Sequence, residues 1–259
     1  MFSILTLNLR FGLADDGPNS WRFRKEFFPS FFKKYNADFI ALQEVNDFQV
    51  DFINDILKNY SFIGKRTPAP SFWQNNIIFY KNIWKCIFRD HFFLSSTPDI
   101  PSRFPESRWP RQCTIGIFEK KDRKLICINT HFDFSASVQT ESAKIIMNRL
   151  LILPSDLPAL LVGDFNADPS CPCYLIFTGE NRKSGKNENC FNNAFKEPFP
   201  GTHHGFTGDI NGKHIDWILY RGKIIKKESM IIHETLEKIY PSDHYPLYAS
   251  FAWKKEINK

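Results

Sequence analysis

Apolar runs of strand length recur along this chain, and each of them gives way at one end to an acid, an amide or a histidine. Such a run is buried along its length but not at its tip, so the fold must either gather these tips or scatter them among separate turns. The stretch LVGDFNADPS, Leu161 to Ser170, has the sharpest boundary. Leu160 to Val162 are apolar, Gly163 interrupts, and Asp164 and Asn166 follow two residues apart, with Asp168-Pro169 just beyond. Residues two apart in a strand point to the same side, which predicts a carboxylate and an amide reaching into one space. Asn8 in LTLNLR, Glu44 in IALQEV, His131 in CINTHFD, Asp216 in KHIDWIL and the Asp243-His244 pair in YPSDHYP share the property, and all read as carboxyl ends of strands.

Period-two alternation predicts strands at Phe2 to Leu9, Asp38 to Val45, Ala159 to Val162, Lys213 to Tyr220, Ser229 to His233 and Leu247 to Trp253, with Ser61 to Arg66 extended. Helical spacing predicts helices at Trp21 to Tyr35, begun by Asn19-Ser20, at Asp47 to Asn59 and at Ser137 to Leu151. Two hairpins of neighbouring antiparallel strands are expected. One runs from Asn76 to Tyr80 through Lys81-Asn82 to Ile83 to Phe88, the other from Arg111 to Phe118 through Lys120 to Lys124 to Leu125 to Phe132. Pro98, Pro101, Pro105 and Pro110 make Leu94 to Pro110 a long irregular loop, and Glu180 to Asn193 reads as a second polar loop. No repeat interrupts the pattern, and the polar tips run from residue 8 to residue 244, so a single α/β domain over residues 1–259 is expected.

Composition narrows the partners more than the fold. With 42% hydrophobic and 24% charged residues the chain is of ordinary globular type, and 27 Phe predict an aromatic core. The formal charge of +6 suits a phosphate-bearing partner and also serves solubility. MFSILTLNLRF lacks a basic region and reaches Asn8 and Arg10 too soon for a secretory signal, and no window approaches the ~18 apolar residues of a membrane span. Cysteines 86, 113, 127, 171, 173 and 190 are scattered, without the paired CxxC spacing of a zinc site. A reduced, cytoplasmic, monomeric protein is expected.

Taken singly, each polar tip has an ordinary explanation as a helix cap or a solvated turn. As a set they combine carboxylates, amides and two histidines, the inventory of a hard-cation site beside a proton-transfer group, which is what phosphate ester hydrolysis requires.

The order and spelling of LNLR, LQE, NTHFD, GDFN, HIDWIL and SDHYP resemble the motifs of the endonuclease/exonuclease/phosphatase superfamily, the DNase I-like fold, over nearly the whole chain. SW-x-x-R at Ser20 to Arg24, LSSTPDIP from Leu94 and GTHHGFTG from Gly201 are similar to a bacterial branch described as metal-dependent hydrolases. The resemblance implies a four-layer α/β/β/α sandwich of two mixed sheets. It implies Mg²⁺ or Mn²⁺ held chiefly by Glu44, with Asn8 orienting the ion or the scissile phosphate and Asp243 a further ligand. Asp164 would position or deprotonate the attacking water, with Asn166 donating its amide to phosphate or nucleophile. His244 would face the phosphate, its tautomer set by Asp216. His131 would bind phosphate or act as general acid, Arg111 would contact phosphate, and His204, beside His203, would line the mouth of the cleft.

Two departures qualify the resemblance. The family glutamate that pairs with the second histidine is replaced by Gln74 or Asn75, neither of which supplies negative charge, so His131 is expected to be less basic than its relatives. Arg10 stands where repair endonucleases of this fold carry an acid, which disfavours that activity. The expected function is phosphodiester hydrolysis of nuclease-like character, with Arg103, Arg108, Trp109 and Arg111 along the cleft for a nucleic acid. A nucleotide, inositol phosphate or phospholipid is the alternative substrate. A catalytically silent phosphate-binding module is the alternative of another class, and turnover of a phosphodiester separates the two.

Overall fold

A computed structural model describes residues 1–179 and 190–254. In chain order its strands are β1 (Phe2–Asn8), β2 (Phe39–Val45), β3 (Tyr60–Ile63), β4 (Asn75–Lys81), β5 (Lys85–Phe93), β6 (Gln112–Lys120), β7 (Arg123–His131), β8 (Ala159–Asp164), β9 (Asn192–Asn193), β10 (Asp216–Arg221), β11 (Ile224–Ile231) and β12 (Leu247–Trp253). They form two six-stranded sheets, ordered β11-β12-β1-β2-β4-β3 and β5-β6-β7-β8-β10-β9. β1 and β2 are parallel, as are β7 and β8, while the other described pairings are antiparallel, so both sheets are mixed.

Helices α1 (Trp21–Arg24), α2 (Phe28–Tyr35) and α3 (Asp47–Ile56) lie in the sequence between strands of the first sheet, and α4 (Ala136–Leu151) and α5 (Pro172–Thr178) between strands of the second. Their apolar faces close two outer cores. Phe27, Phe28, Phe31 and Phe32 pack with Leu7, Ile40 and Leu42 on one side, and Ile146 and Phe177 with Leu161 and Trp217 on the other. A third core, with Phe2, Phe39, Leu160 and Ile218, fills the space between the sheets. The architecture is the expected four-layer sandwich of the DNase I-like fold.

Several local expectations need correction. β4 and β5 are not a hairpin: β4 pairs with β2 and β3, whereas β5 pairs with β6 in the other sheet. The turn between them carries Trp84, whose ring is buried against Phe2 and Phe39 and whose Nε1 donates to Asp38 Oδ1 at 3.0 Å, so the chain crosses between layers there. The helix expected over Trp21 to Tyr35 is interrupted by a 3₁₀ turn, Lys25–Phe27, and resumes where Pro29 occupies its first turn, a position at which proline's missing N–H costs nothing. The unforeseen α5 begins at Pro172 and ends at Gly179, whose φ of 69° is left-handed. Asp216 opens β10 rather than ending a strand, and Asp243 and His244 precede β12. Of the second polar loop, residues 180–189 lie outside the described residues.

Strand periodicity then decides what meets between the sheets. Phe2 and Ile4 face inward on β1, so Thr6 and Asn8 do as well; Phe39 and Ala41 are followed on the same face of β2 by Gln43. In the second sheet Leu125 and Cys127 lead to Asn129 and His131, Leu160 and Val162 lead to Asp164, and Ile218 shares its face with Asp216. The inter-sheet layer is therefore apolar at one end and polar at the other. The boundary is a fully buried lock: Gln43 Nε2 donates to Asn129 Oδ1 at 2.6 Å and to Thr6 Oγ1 at 3.0 Å. Asn129 Nδ2 in turn donates to the Leu42 and Ile77 carbonyls, both at 2.9 Å. Gly163, at φ 141°, lets β8 lie against β7 just before Asp164, since a Cβ there would stand 1.9 Å from the Thr130 carbonyl oxygen.

Asn129→Leu keeps the branched outline of the side chain but takes from Gln43 Nε2 its shortest acceptor and from the Leu42 and Ile77 carbonyls their Asn129 donor, while Gln43 keeps Thr6 Oγ1. Urea denaturation should show a loss of about 3 kcal/mol, the scale of buried polar groups left unpaired; a loss below about 1 kcal/mol would mean that this lock is dispensable.

Candidate active site

The carboxyl ends of β1, β2, β7 and β8 and the amino ends of β4, β6, β10 and β12 meet at the polar end of the sandwich. The register sets three functional side chains in a row across the second sheet: His131 lies opposite Asp164, and Asp164 opposite Asp216. Asn8 and Glu44 stand across from them on the first sheet.

Glu44 reaches this space through a backbone irregularity. Simple alternation would turn it toward the helices with Ile40 and Leu42. Instead Leu42 pairs with Ile77 and Val45 with Asn75, so two residues of β2 oppose one of β4, and Glu44 adopts φ 60°. This bulge resets the alternation, returning Val45 to the helix-side core and aiming Glu44 into the site. Glu44 Oε2 accepts the Phe11 N–H at 2.7 Å, and Oε1 accepts from Asn8 Nδ2 at 3.2 Å. Asn8 Nδ2 also donates to Asp164 Oδ2 at 2.9 Å, so one amide spans carboxylates from both sheets.

Asp164 and Asn166 converge through a turn rather than along an extended strand. β8 ends at Asp164, whose Oδ1 accepts the Asn166 N–H at 2.9 Å, and Asn166 takes a left-handed φ of 49°. Asn166 Nδ2 donates to the Phe132 carbonyl at 3.0 Å and lies 3.1 Å from His131 Nε2. Arg111 Nη1 stands 3.1 and 3.2 Å from the two ring nitrogens of His131. Burial, then the neighbouring Arg111 and His244, hold the His131 pKa well below the ordinary histidine value. Its nearest carboxylates are Asp164 at 3.4 Å and Glu44 at 3.9 Å. Neither Gln74 nor Asn75 contacts it: the Asn75 amide donates to the Val45 carbonyl and to Asp47. Burial raises Asp164 to about 7 against the opposing influence of His244.

His244 is the charged histidine of the cluster. Its Nδ1 meets Asp216 Oδ2 at 2.9 Å, and its Nε2 lies 3.8 Å from Asp164. Burial disfavours the charged ring, yet Asp216 and then Asp164 outweigh it and push the pKa up to about 10. The loop carrying His244 is tied to β1, since Ser242 Oγ donates to the Asn8 carbonyl at 2.6 Å. Arg24, from the SW-x-x-R stretch, is fully buried and donates to the Leu9 and Pro241 carbonyls at 3.0 and 2.6 Å, clamping the same two segments. Sequence reasoning noted that motif without finding this role. Arg10 pairs with both oxygens of Asp16, at 2.8 and 3.0 Å, and approaches Asp243 at 3.4 Å.

Not every candidate gathers here. The His204 ring stacks on Tyr245 at 4.0 Å and packs against Tyr240, and its Nδ1 accepts the Gly208 N–H at 3.3 Å. The exposed His203 instead packs on His244 at 4.7 Å between ring centroids. Arg103 does not face the cleft, because its Nη1 donates to carbonyls of its own loop, including Ser107. Two groupings among the described residues bring ligand atoms within 4.8 Å of one another: His203, Asp243 and His244, and Asp164, Asp216 and His244. Both depend on His244, whose Nδ1 is taken up by Asp216 Oδ2 at 2.9 Å. Glu44 has a better donor set for a hard cation, a carboxylate 16% exposed beside Asn8 and opening into a cleft of about 450 Å³. Trp109, Pro110, Arg111 and Phe134 form part of that cleft.

A sequence model described as the Endonuclease/Exonuclease/phosphatase family matches residues 5–244. No curated protein matches the chain in sequence. Among solved structures, an endonuclease/exonuclease/phosphatase from Bacteroides vulgatus is similar at 24% identity and TM-score 0.86, with 98% of this chain and 99% of that one covered. A mannosyl-6-phosphatase from Bacteroides thetaiotaomicron is similar at 23% identity and TM-score 0.85, covering 98% and 100%. D. rerio TDP2 complexed with single strand DNA product is similar at 17% identity and TM-score 0.75, covering 97% and 98%. At these identities the structural likenesses establish the shared fold.

The His244 shift has a defined consequence for stability. A histidine whose folded pKa of about 10 exceeds its unfolded value of ~6.5 contributes stability fully present below ~6.5 and lost as pH rises through 10. With EDTA present, the melting temperature should fall by a few degrees between pH 7 and 10.5, and Asp216→Asn should flatten that slope while lowering stability at pH 7. Parallel slopes in the two proteins would contradict the charged pair.

Proposed function

Because this chain belongs to the endonuclease/exonuclease/phosphatase family, whose members are phosphoester hydrolases, we propose that it is a divalent-metal-dependent phosphoesterase that hydrolyses a phosphodiester. The observation that carries this reading is the convergence of Glu44 and Asn8 from one sheet with Asp164, Asn166, His131 and Asp216 from the other, beside the loop-borne His244.

Each group has a task that its surroundings suit. Glu44, with Asn8 next to it, would hold Mg²⁺ or Mn²⁺, and Asp243 is near enough to Arg10 to be partly neutralised and is the weaker candidate ligand. When bound, the ion supplies positive charge against the phosphoryl oxygens. Asp164, raised to about 7, has the proton affinity of a base that takes a proton from water near neutral pH. Asn166, whose amide cannot be deprotonated, keeps His131 and the nucleophile's surroundings in register. His244, kept protonated by Asp216, stabilises the negative charge that develops on phosphate. His131, held neutral, suits donation of one N–H to phosphate better than delivery of a proton to the leaving group. Arg111, buried beside it, adds a fixed positive charge. Among the described residues no helix is long and apolar enough to cross a membrane.

The likeness to a mannosyl-6-phosphatase makes a sugar phosphate monoester the second substrate reading. A silent binding module is the less suitable account, because phosphate binding alone has no use for a fully buried Asp216–His244 pair.

Hydrolysis of bis-p-nitrophenyl phosphate should vanish in EDTA and return with Mg²⁺ or Mn²⁺; full activity after rigorous chelation would refute the reading. Glu44→Gln should raise the metal concentration for half-maximal rate by about tenfold or more. Asp164→Asn and His244→Ala should each lower turnover by roughly a hundredfold, and the double variant should lose less than the product of the two, since both serve one transition state. Rates near wild type in either single variant would remove that residue from the chemistry.

A further inference from the structure

The cleft beside Glu44 has walls that phosphate hydrolysis does not explain. Phe72, Trp109 and Phe134 are 60%, 52% and 74% exposed, yet all three belong to this one cleft, which also includes Glu44 and Arg111 of the catalytic cluster. They arrive from three separate segments, before β4, before β6 and after β7. Water-exposed aromatic rings gathered at one mouth make an apolar patch suited to a ligand. Two of the rings are already associated with cations: the Arg108 guanidinium lies 5.1 Å from the Trp109 ring, and that of Arg111 lies 5.7 Å from Phe134.

The polar groups of the cleft limit what that ligand can be. A hexose would need a hydrogen-bond partner for each hydroxyl it buries. Here the guanidinium of Arg10 is engaged by Asp16 and Asp243, Arg111 is engaged by His131, and Glu44 by Asn8 and Phe11. Trp73 Nε1 and Arg111 Nε also lack partners but are themselves buried, which among the described lining residues leaves the Gln74 side chain as the polar group open to a ligand outside those contacts. A flat heteroaromatic ring makes no such demand, because it offers a π-face to each aromatic wall and tolerates a cation against its edge or face.

We propose that this cleft is a base-stacking subsite, which seats the nucleobase attached to the scissile phosphate against Trp109 and Phe134 while the phosphate lies between Arg111 and Glu44. The assignment rests on the phosphoesterase reading and names its substrate class as nucleotidyl. A free nucleotide and the end of a strand present the same chemistry to the cleft.

Calorimetric titration of the metal-free protein in EDTA with adenosine 5′-monophosphate and with ribose 5-phosphate isolates the base. The nucleotide should bind about tenfold more tightly, the scale of one base–aromatic stack. Trp109→Ala and Phe134→Ala should each reduce that preference severalfold, and Trp109→Phe should retain most of it. Equal binding of the two ligands, or an equal weakening of both in Trp109→Ala, overturns the proposal. With Mg²⁺, a five-nucleotide single strand should be cleaved with higher kcat/KM than its abasic counterpart, and Trp109→Ala should shrink the ratio; a ratio near one in the wild type also overturns it. Comparison with adenosine 5′-monophosphate hydrolysis assigns the source: faster turnover of the strand identifies a nucleic acid end, and faster turnover of the monophosphate a free nucleotide, both as expected for the subsite. If no phosphoester of any kind is hydrolysed, the phosphoesterase reading fails, whereas the nucleotide preference in EDTA still tests the cleft.

Discussion

The structure turns on a buried polar lock between its two sheets. Gln43 of one sheet and Asn129 of the other are fully enclosed, and the bond between them also engages Thr6 and the carbonyls of Leu42 and Ile77. A polar pair of this sort is stable in a core when its groups are largely partnered, as they are here but for Gln43 Oε1, and those bonds hold the separation and register of the facing strands. On one side of the lock the layer is filled by Phe, Ile and Val. On the other, the next inward positions are Asn8, His131 and Asp164, which meet because the lock has already aligned the strands that carry them.

That alignment brings charges where a core would exclude them, and the electrostatics divide the work between two histidines. Both rings are buried, and burial alone would make both neutral. His244 escapes because Asp216 shares its face of the site at hydrogen-bond distance, while His131 has Arg111 against it and no carboxylate as close. The same fold therefore raises the proton affinity of one imidazole and lowers that of the other, both within reach of Asp164. Local backbone strain contributes as well: Glu44 and Asn166 both sit at positive φ, a conformation that side chains rarely adopt and that here aims them at the cluster.

The polar cluster and the aromatic walls of the cleft are built from different parts of the chain. The cluster comes from strand ends held by the sandwich, whereas Phe72, Trp109 and Phe134 come from connecting loops. Loops can change without disturbing the strand register, and the same sandwich is found in a mannosyl-6-phosphatase and in TDP2 complexed with single strand DNA product. Arg24 belongs to the first group in function despite lying on a helix, because its guanidinium joins the segment after β1 to the loop that carries His244.

Period-two alternation was enough, from sequence, to mark most strands and to bring Asn8, His131, Asp164 and Asp216 to attention, because a strand's faces follow from local stereochemistry. The motifs identified the fold, while the weak basicity of His131, expected from an amide at Gln74 or Asn75, comes in the structure from burial and from the neighbouring Arg111 and His244. Alternation could not show that Glu44 reverses its face, because a bulge depends on how the neighbouring strand pairs. Nor could it show that β4 and β5 part into different sheets, which the burial of Trp84 between layers decides. The choice between His203 and His204 was likewise tertiary: spelling favoured His204, but stacking on Tyr245 and Tyr240 takes that ring into a packed aromatic pocket and leaves His203 against His244. Arg103 was expected in the cleft and instead closes its own loop, for which only the folded path of its carbonyls gives the reason. The sequence by itself determined which residue types point between the sheets; the packing of one sheet on the other decided which of them meet, because distances between chain-remote side chains are set by packed layers and not by local periodicity.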